Sequence, residues 1–395
     1  MELKLKTLTP LWTGGADRNS DRIRETGIIG SMRWWYEGIV RGMGGRACDI
    51  TADDASARCR FQQKKNESYE QAVQRLCPAC WLFGCTGWQR RFRLELEGLT
   101  PQNVFFMTSP AVRRSSGDWL RKLYGSKSIK GDRGAGAVVS EPGLWARALW
   151  GDRATMRVVP LGTDAEETLA QISFLLAIMN HWGALGAKPQ NGFGQIKITD
   201  GLDSKMTQRG QQLLAALTTR GGRHPPGKFF NLASLFSHIY QIAKLERYRG
   251  TKGLVGIPSE GFDFRQHFIP CAFDIRYKSN SVNPRSGQGQ DFGMRPWFRD
   301  RRGEEVAHRL FGRSDARGDD DRSASRIFVS HLYREEPDAP WRLKVWGHVP
   351  RGLCDEDGRP VSLSDVAHEV TSFVETMFPG TTLVEEFDPK EVGIR

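Results

Sequence analysis

The order in which hydrophobic periodicity switches along the chain limits its fold more than any other feature. Glu2 to Leu8 sets Leu3, Leu5 and Leu8 against Lys4 and Lys6, close to the period of two of a half-buried strand. Thr9 to Trp12 ends that strand, Gly14 and Gly15 form a turn, and a charged loop leads to Gly30-Ser31-Met32-Arg33-Trp34-Trp35. Ser31 reads as the N-cap of a helix whose inner face carries Met32, Trp35 and Ile39. Arg90 to Glu97 alternates again, and Val104 to Met107 is expected to pair with it. Thr155 to Leu161 is a strand, Asp164 caps a helix running to Trp182, and Gln195 to Ile198 is the final strand. Strand, helix, strand, strand, helix, strand is the βαββαβ order of ferredoxin-like domains, which RNA-recognition domains share.

The second half is expected to repeat that order. After a polar connection (Gly221 to Gly227) and a helix from Phe229 to Leu245, the pattern predicts strand Phe268 to Tyr277, helix Glu304 to Phe311 and strand Arg326 to Leu332. Strand Trp341 to Gly347, helix Leu363 to Met377 and strand Thr382 to Phe387 complete it. The expected class is therefore α+β: tandem ferredoxin-like, RRM-like domains over 1–200 and 201–395. Two insertions, 43–89 and 109–153, interrupt the first.

Insertion 43–89 holds five of the seven cysteines: Cys48, Cys59, Cys77, Cys80 and Cys85. The Cys77-Pro78-Ala79-Cys80 spacing lets two thiolates reach one tetrahedral zinc, and two more must close the site. Cys48 and Cys59 are the favoured partners, with Cys85 as the alternative ligand. A set of buried, reduced cysteines is the competing reading.

A formal net charge of +11, spread along the chain, favours an anionic partner and above all nucleic acid. The first helix would offer free N–H groups and its positive dipole end to a phosphate, with Arg22, Arg24 and Arg33 nearby in sequence. Ser109 to Arg153 sets Arg113, Arg114 and further basic residues among glycines, Trp119 and Tyr124, as a loop that tracks phosphates would. A glycine-rich loop (Gly183, Gly186, Gly192, Gly194) flanks Lys188, Pro189, Gln190 and Asn191 and permits close backbone approach to a ligand. The longest apolar run, Ile172 to Met179, is far short of the ~18 residues of a membrane span. Met1-Glu2-Leu3-Lys4 lacks the apolar core of a signal peptide, so a cytoplasmic protein with reduced thiols is expected.

Several of these stretches together are similar to a known family. Thr9-Pro10-Leu11-Trp12-Thr13-Gly14-Gly15-Ala16-Asp17, Gly30 to Trp35, Cys77 to Trp88 and Asn191-Gly192-Phe193-Gly194 follow one another as in the RAMP superfamily. Within it, the chain most resembles the first-numbered RAMP subunits of type III-B CRISPR Cmr complexes. Ala324-Ser325-Arg326-Ile327-Phe328 extends the likeness more loosely into the second half. The resemblance implies a crRNA-binding subunit at one end of an effector assembly that, with other protein subunits, recognises complementary target RNA. In related subunits an aspartate in the loop after the first strand cuts target RNA with a divalent metal, and Asp17 and Asp21 occupy that loop here.

Two classes of function follow: a non-catalytic RNA-binding subunit, or a metal-dependent endonuclease acting through Asp17 or Asp21. A metal-independent RNase would want a histidine near the first helix. The first histidine in the chain is His181, on an apolar helix where a core position is expected. For the two aspartates, capping the loop or pairing with Arg18, Arg22 or Arg24 is the favoured role. A zinc-dependent DNA-binding protein is the weakest reading, since the cysteine module carries no basic recognition helix.

Overall fold

The computed structural model describes residues 1–14, 20–49, 57–106, 125–132, 138–219, 229–243, 271–276, 293–313 and 323–393, with the side chains of 105–146 left aside. In chain order the elements are β1 (Glu2–Thr7), α1 (Glu25–Gly42), α2 (Tyr69–Gln74), α3 (Pro78–Phe83), β2 (Phe92–Glu97), β3 (Thr100–Phe106), β4 (Gly125–Asp132), β5 (Val138–Trp150) and β6 (Ala154–Pro160). They continue with α4 (Ala165–Trp182), β7 (Ile196–Asp200), α5 (Ser204–Thr219), β8 (Leu235–Ile242), α6 (Ala272–Arg276), α7 (Met294–Arg302) and α8 (Glu304–Phe311). The last four are β9 (Ile327–Val329), β10 (Trp341–His348), α9 (Leu363–Met377) and β11 (Thr382–Glu386).

The first sheet has the order β2-β6-β1-β7 and the second β11-β8-β10-β9, every neighbouring pair antiparallel. Both are the ferredoxin-like arrangement, in which the third strand of the motif inserts between the first two. The chain is thus an α+β protein built as tandem ferredoxin-like units, the first interrupted by the cysteine-bearing segment. A third sheet, β3-β5-β4, stands beside the first and is tied to it by the bridge between Leu11 and Leu149.

Several sequence expectations need correction. α1 begins at Glu25, so Ser31 lies inside the helix and does not cap it. Glycine costs only about 1 kcal/mol in a helix, and at Gly27 it is required: a Cβ there would sit 2.8 Å from the Thr13 carbonyl oxygen. Apolar Ile28, Met32, Trp35, Ile39 and Val40 supply the continuous buried stripe that carries the helix past Gly27, Gly30 and Gly38. Asp164 makes no capping bond to α4 and instead pairs with Arg91 at 3.0 Å. His181 is exposed, not core. β3 pairs with β5 and not with β2, and the 109–153 insertion contains β4 and β5 where a loop was expected.

In the second half, Leu235–Ile242 is a strand inside the segment read as a helix, and Ala272–Arg276 is helical inside the segment read as a strand. β8 is central, and seven of its eight residues are buried, so the period-two signal that marks a half-buried strand is absent. α5 was not foreseen; it packs on α4 with Gly210 so close that a Cβ would meet the Ala170 carbonyl oxygen at 2.0 Å.

Two hydrophobic cores lie under the two sheets, yet Phe328 of β9 and Trp346 of β10 pack with the first core. They stack on each other at 3.9 Å, and Trp35 of α1 meets Trp346 at 5.1 Å. Trp34 stacks on Phe230 at 4.2 Å and touches both Phe328 and Trp346. A polar latch at the sheet edge adds to this junction: Lys197 and Arg342 converge on Glu335, and Lys6 pairs with Glu336 at 2.6 Å.

Lys344 of β10 is 2% exposed and donates to the Gly183 carbonyl oxygen at 3.4 Å. Burial brings its pKa down to about 7, against the opposing pull of Glu385 and Glu335. The unfolded lysine titrates near 10.5. Between about pH 7 and pH 10 the unfolded chain therefore holds a proton that the folded chain has released, and stability rises with pH across that window. Lys344→Met is expected to stabilise the fold at pH 7 by about 1–4 kcal/mol and to flatten that rise, as thermal melts of both proteins from pH 7 to 10 would register.

Candidate metal cluster and nucleic-acid cleft

Cys77 sits at the N-cap of α3, with Pro78 at its first position, and the Cys77 Sγ accepts from the Cys80 N–H at 3.4 Å. The Cys77 N–H in turn donates to the Cys59 Sγ at 3.4 Å, and Cys48 and Cys80 lie 3.3 Å apart, sulfur to sulfur. The four sulfurs of Cys48, Cys59, Cys77 and Cys80 all fall within 4.8 Å of one another. A tetrahedron of thiolates at ~2.3 Å from one ion has edges of about 3.8 Å, so the cluster fits a single metal. The thiols share protons: Cys77 is brought down to about 7, first by its hydrogen bond with Cys48, while Cys80 is pushed up by the same neighbour. Cys85 stays out of the group, its Sγ directed to the Thr86 carbonyl oxygen at 3.8 Å.

Arg33 belongs to this cluster and not to a phosphate site. Its guanidinium donates to Cys80 Sγ at 3.2 Å, to the Gly84 carbonyl oxygen at 2.7 Å and to Glu37 at 2.9 Å. Burial works against its charge, but Glu37 and Cys80 outweigh that and raise its pKa. A cation there offsets the negative charge that four thiolates around a divalent ion would leave.

The second feature is a cleft of about 520 Å³ between the two units. α1 contributes Gly27, Ser31 and Trp34, and the glycine-rich loop contributes Gly186, Pro189 and Gln190. From the other side come Phe229, Phe230, Ser325, Arg326 and His348. Ser31 fastens α1 to the loop, accepting from the Gly186 N–H at 2.8 Å and donating to the Ile28 carbonyl oxygen at 3.0 Å. Gly186 has φ +83°, and a Cβ would strike the Trp12 carbonyl oxygen at 2.6 Å, so only glycine closes this turn. Lys188 is held in the left-handed region (φ 58°) with its ammonium 3.4 Å from the centre of the Trp12 ring.

Arg326 is the charged group of the cleft. It is half-buried, and neither an ion pair nor a side-chain hydrogen bond engages it among the described residues. Burial, with Arg309 adding repulsion, lowers its pKa. Beside it the buried His348 is held neutral at about 3 by burial and by Arg326.

Residues 4–197 match the sequence profile of the RAMP superfamily. This N-terminal part of the chain belongs to the RAMP superfamily. No protein of curated function matches it. Among solved structures it is similar to Cmr1 from Pyrococcus furiosus in its apo form, at 12% identity and a TM-score of 0.42 over 97% of both chains. It is also similar to a chain of a Type III-B Cmr-beta assembly bound to cognate target RNA and AMPPnP, at 12% identity and a TM-score of 0.47, covering 95% of this chain and 99% of that one. A chain of a Type IV-B CRISPR complex matches at 14% identity and a TM-score of 0.29, over 51% and 90%.

The other expected site residues fall in three places. Ser31, Gln190 and the glycine loop meet in the cleft, with Lys188 and the buried Asn191 in the loop behind it. Arg22 and Arg24 lie on the segment entering α1, outside the cleft lining, and Arg24 pairs with the exposed Asp21 at 3.3 Å. Asp17, Arg113 and Arg114 lie outside the described residues. Reading the sequence missed Arg326, His348, Phe229 and Phe230 as lining of the cleft; the one available signal was the looser resemblance of the Ala324 to Phe328 stretch to the family.

Elemental analysis of the purified chain is expected to find about one divalent ion per chain. Cys80→Ser should lose it, Cys85→Ser should keep it, and Arg33→Gln should weaken metal affinity by about 10- to 100-fold, as loss of an outer partner of a ligand does.

Proposed function

We propose that this chain is a non-catalytic crRNA-binding subunit of a type III-B CRISPR effector complex. With partner subunits it would help recognise and silence complementary target RNA in the cytoplasm. The observation that carries this reading is the cleft: a half-buried guanidinium, unpaired among the described residues, and the exposed Phe229 ring face one groove of a chain with net charge +11. Such a pair suits RNA, whose phosphodiester takes charge-assisted hydrogen bonds from arginine. The four cysteines would hold structural zinc, whose preference for a closed tetrathiolate matches this donor set. The ion would brace α3 against α1.

Cleavage by this chain has less support. Asp21 is engaged by Arg24, and among the described residues the only group of three or more metal-ligating side chains is the cysteine cluster. RNA affinity is expected to fall steeply with salt, and Arg326→Gln should reduce the salt slope by roughly 0.7, one phosphate contact on a single strand. Affinity that is unchanged between low and high salt would refute the reading. Assembled complexes carrying Asp17→Ala and Asp21→Ala, singly and together, should give the same products from labelled target RNA in magnesium as the parent. Loss of a single cut with RNA binding intact would instead make the loop after β1 an active site.

A further inference from the structure

Phe229 is 44% exposed. The other exposed large hydrophobics among the described residues are Tyr69, Leu383 and Val384, and none of them lines the cleft. The Arg41 guanidinium sits 5.0 Å from the Phe229 ring centre and holds it in place. Behind it, Phe230 is buried between Trp34, stacked at 4.2 Å with an interplanar angle of 8°, and His348 at 5.4 Å. The cleft therefore pairs an aromatic wall, rigid behind and open at the rim, with the Arg326 guanidinium, which is unpaired among the described residues.

We infer that this cleft seats one unstacked ribonucleotide, its base lying on Phe229 beside Trp34 and its phosphate on Arg326. The inference rests on the RNA-binding reading above and adds the ligand unit to it. A π-face accepts any base, whereas a guanidinium asks for an anion, and a nucleotide is the RNA unit that offers both. The volume agrees, since sites of about 300–1,000 Å³ hold one small ligand and the cleft measures about 520 Å³. A duplex would leave no base face free for the wall, so the nucleotide must come from a single strand, at an end or turned out of the stack.

The test uses the full chain and short labelled single-stranded RNAs in which one abasic nucleotide is walked through the sequence. At one position, loss of the base should weaken binding by about five- to one-hundred-fold, the stacking contribution of one base. Phe229→Ala should lose a similar factor and become indifferent to the abasic position, while Phe229→Trp should restore both. Because Phe229 is exposed, Phe229→Ala should melt as the parent does, which separates lost stacking from lost fold. If RNA binds with the expected salt dependence but every abasic position is tolerated, or if Phe229→Ala binds as the parent does, the slot is wrong and the RNA-binding reading stands. If the folded chain binds no RNA at low salt, both fall.

Discussion

Trp34 and Trp35 leave α1 on the side that faces the second sheet, where Phe328 and Trp346 form a parallel stack to receive them. Each such ring buries on the order of 150–250 Å², and each aromatic contact adds about 0.5–1.5 kcal/mol beyond area. Against a net stability of about 5–15 kcal/mol for a domain, this junction is a large share of what holds the two units in register. Its position also decides where the units do not touch. The cleft opens along the rim of the junction, and Trp34, Phe230 and Phe328 serve both as packing and as lining.

α1 transmits a second constraint along its other face. Arg33, Glu37 and Arg41 follow at intervals of four, and Glu37 accepts from both arginines, at 2.9 and 3.2 Å. With these side chains only 11–14% exposed, water screens the ladder far less than it would a surface pair. At one end Arg33 holds Cys80, and at the other Arg41 donates to the Phe230 carbonyl oxygen at 3.3 Å. One helix thus braces the cysteine cluster and the aromatic wall together, so the order of the knuckle and the shape of the cleft share a support.

The placement of positive charge follows the same logic of competition. Most arginines close to a carboxylate are spent on it: Arg24 on Asp21, Arg91 on Asp164, Arg157 on Glu2. Among the described residues Arg326 has no such neighbour, and it is the one that lines the cleft. The +11 of the whole chain describes its attraction to an anion at a distance, but a guanidinium left unpaired at a concave site is what gives a ligand somewhere to bind.

Local pattern alone was enough for α8 and α9, whose predicted bounds match the structure residue for residue, and for β2, β6 and β11 within two residues. In all of these but β11, one face is buried and one is wet, so the periodicity survives in the residues. The paired βαββαβ order and the four-cysteine group were legible for a related reason, because alternation and ligand spacing are properties of neighbours along the chain. β8 was not legible, since a strand buried on both faces has no alternation to read, nor was the start of α1, where Gly27 is explained only by the Thr13 backbone packed against it. Arg33 looked like a phosphate ligand until the fold brought Cys80 and Gly84, 47 and 51 residues away, within reach of its guanidinium. The sequence by itself determined the elements that keep one buried and one wet face, and that an anion-seeking, thiol-rich chain would result. Only the tertiary structure decided which arginine is spent and which is free, because that depends on which carboxylates, carbonyls and sulfurs arrive from distant parts of the chain.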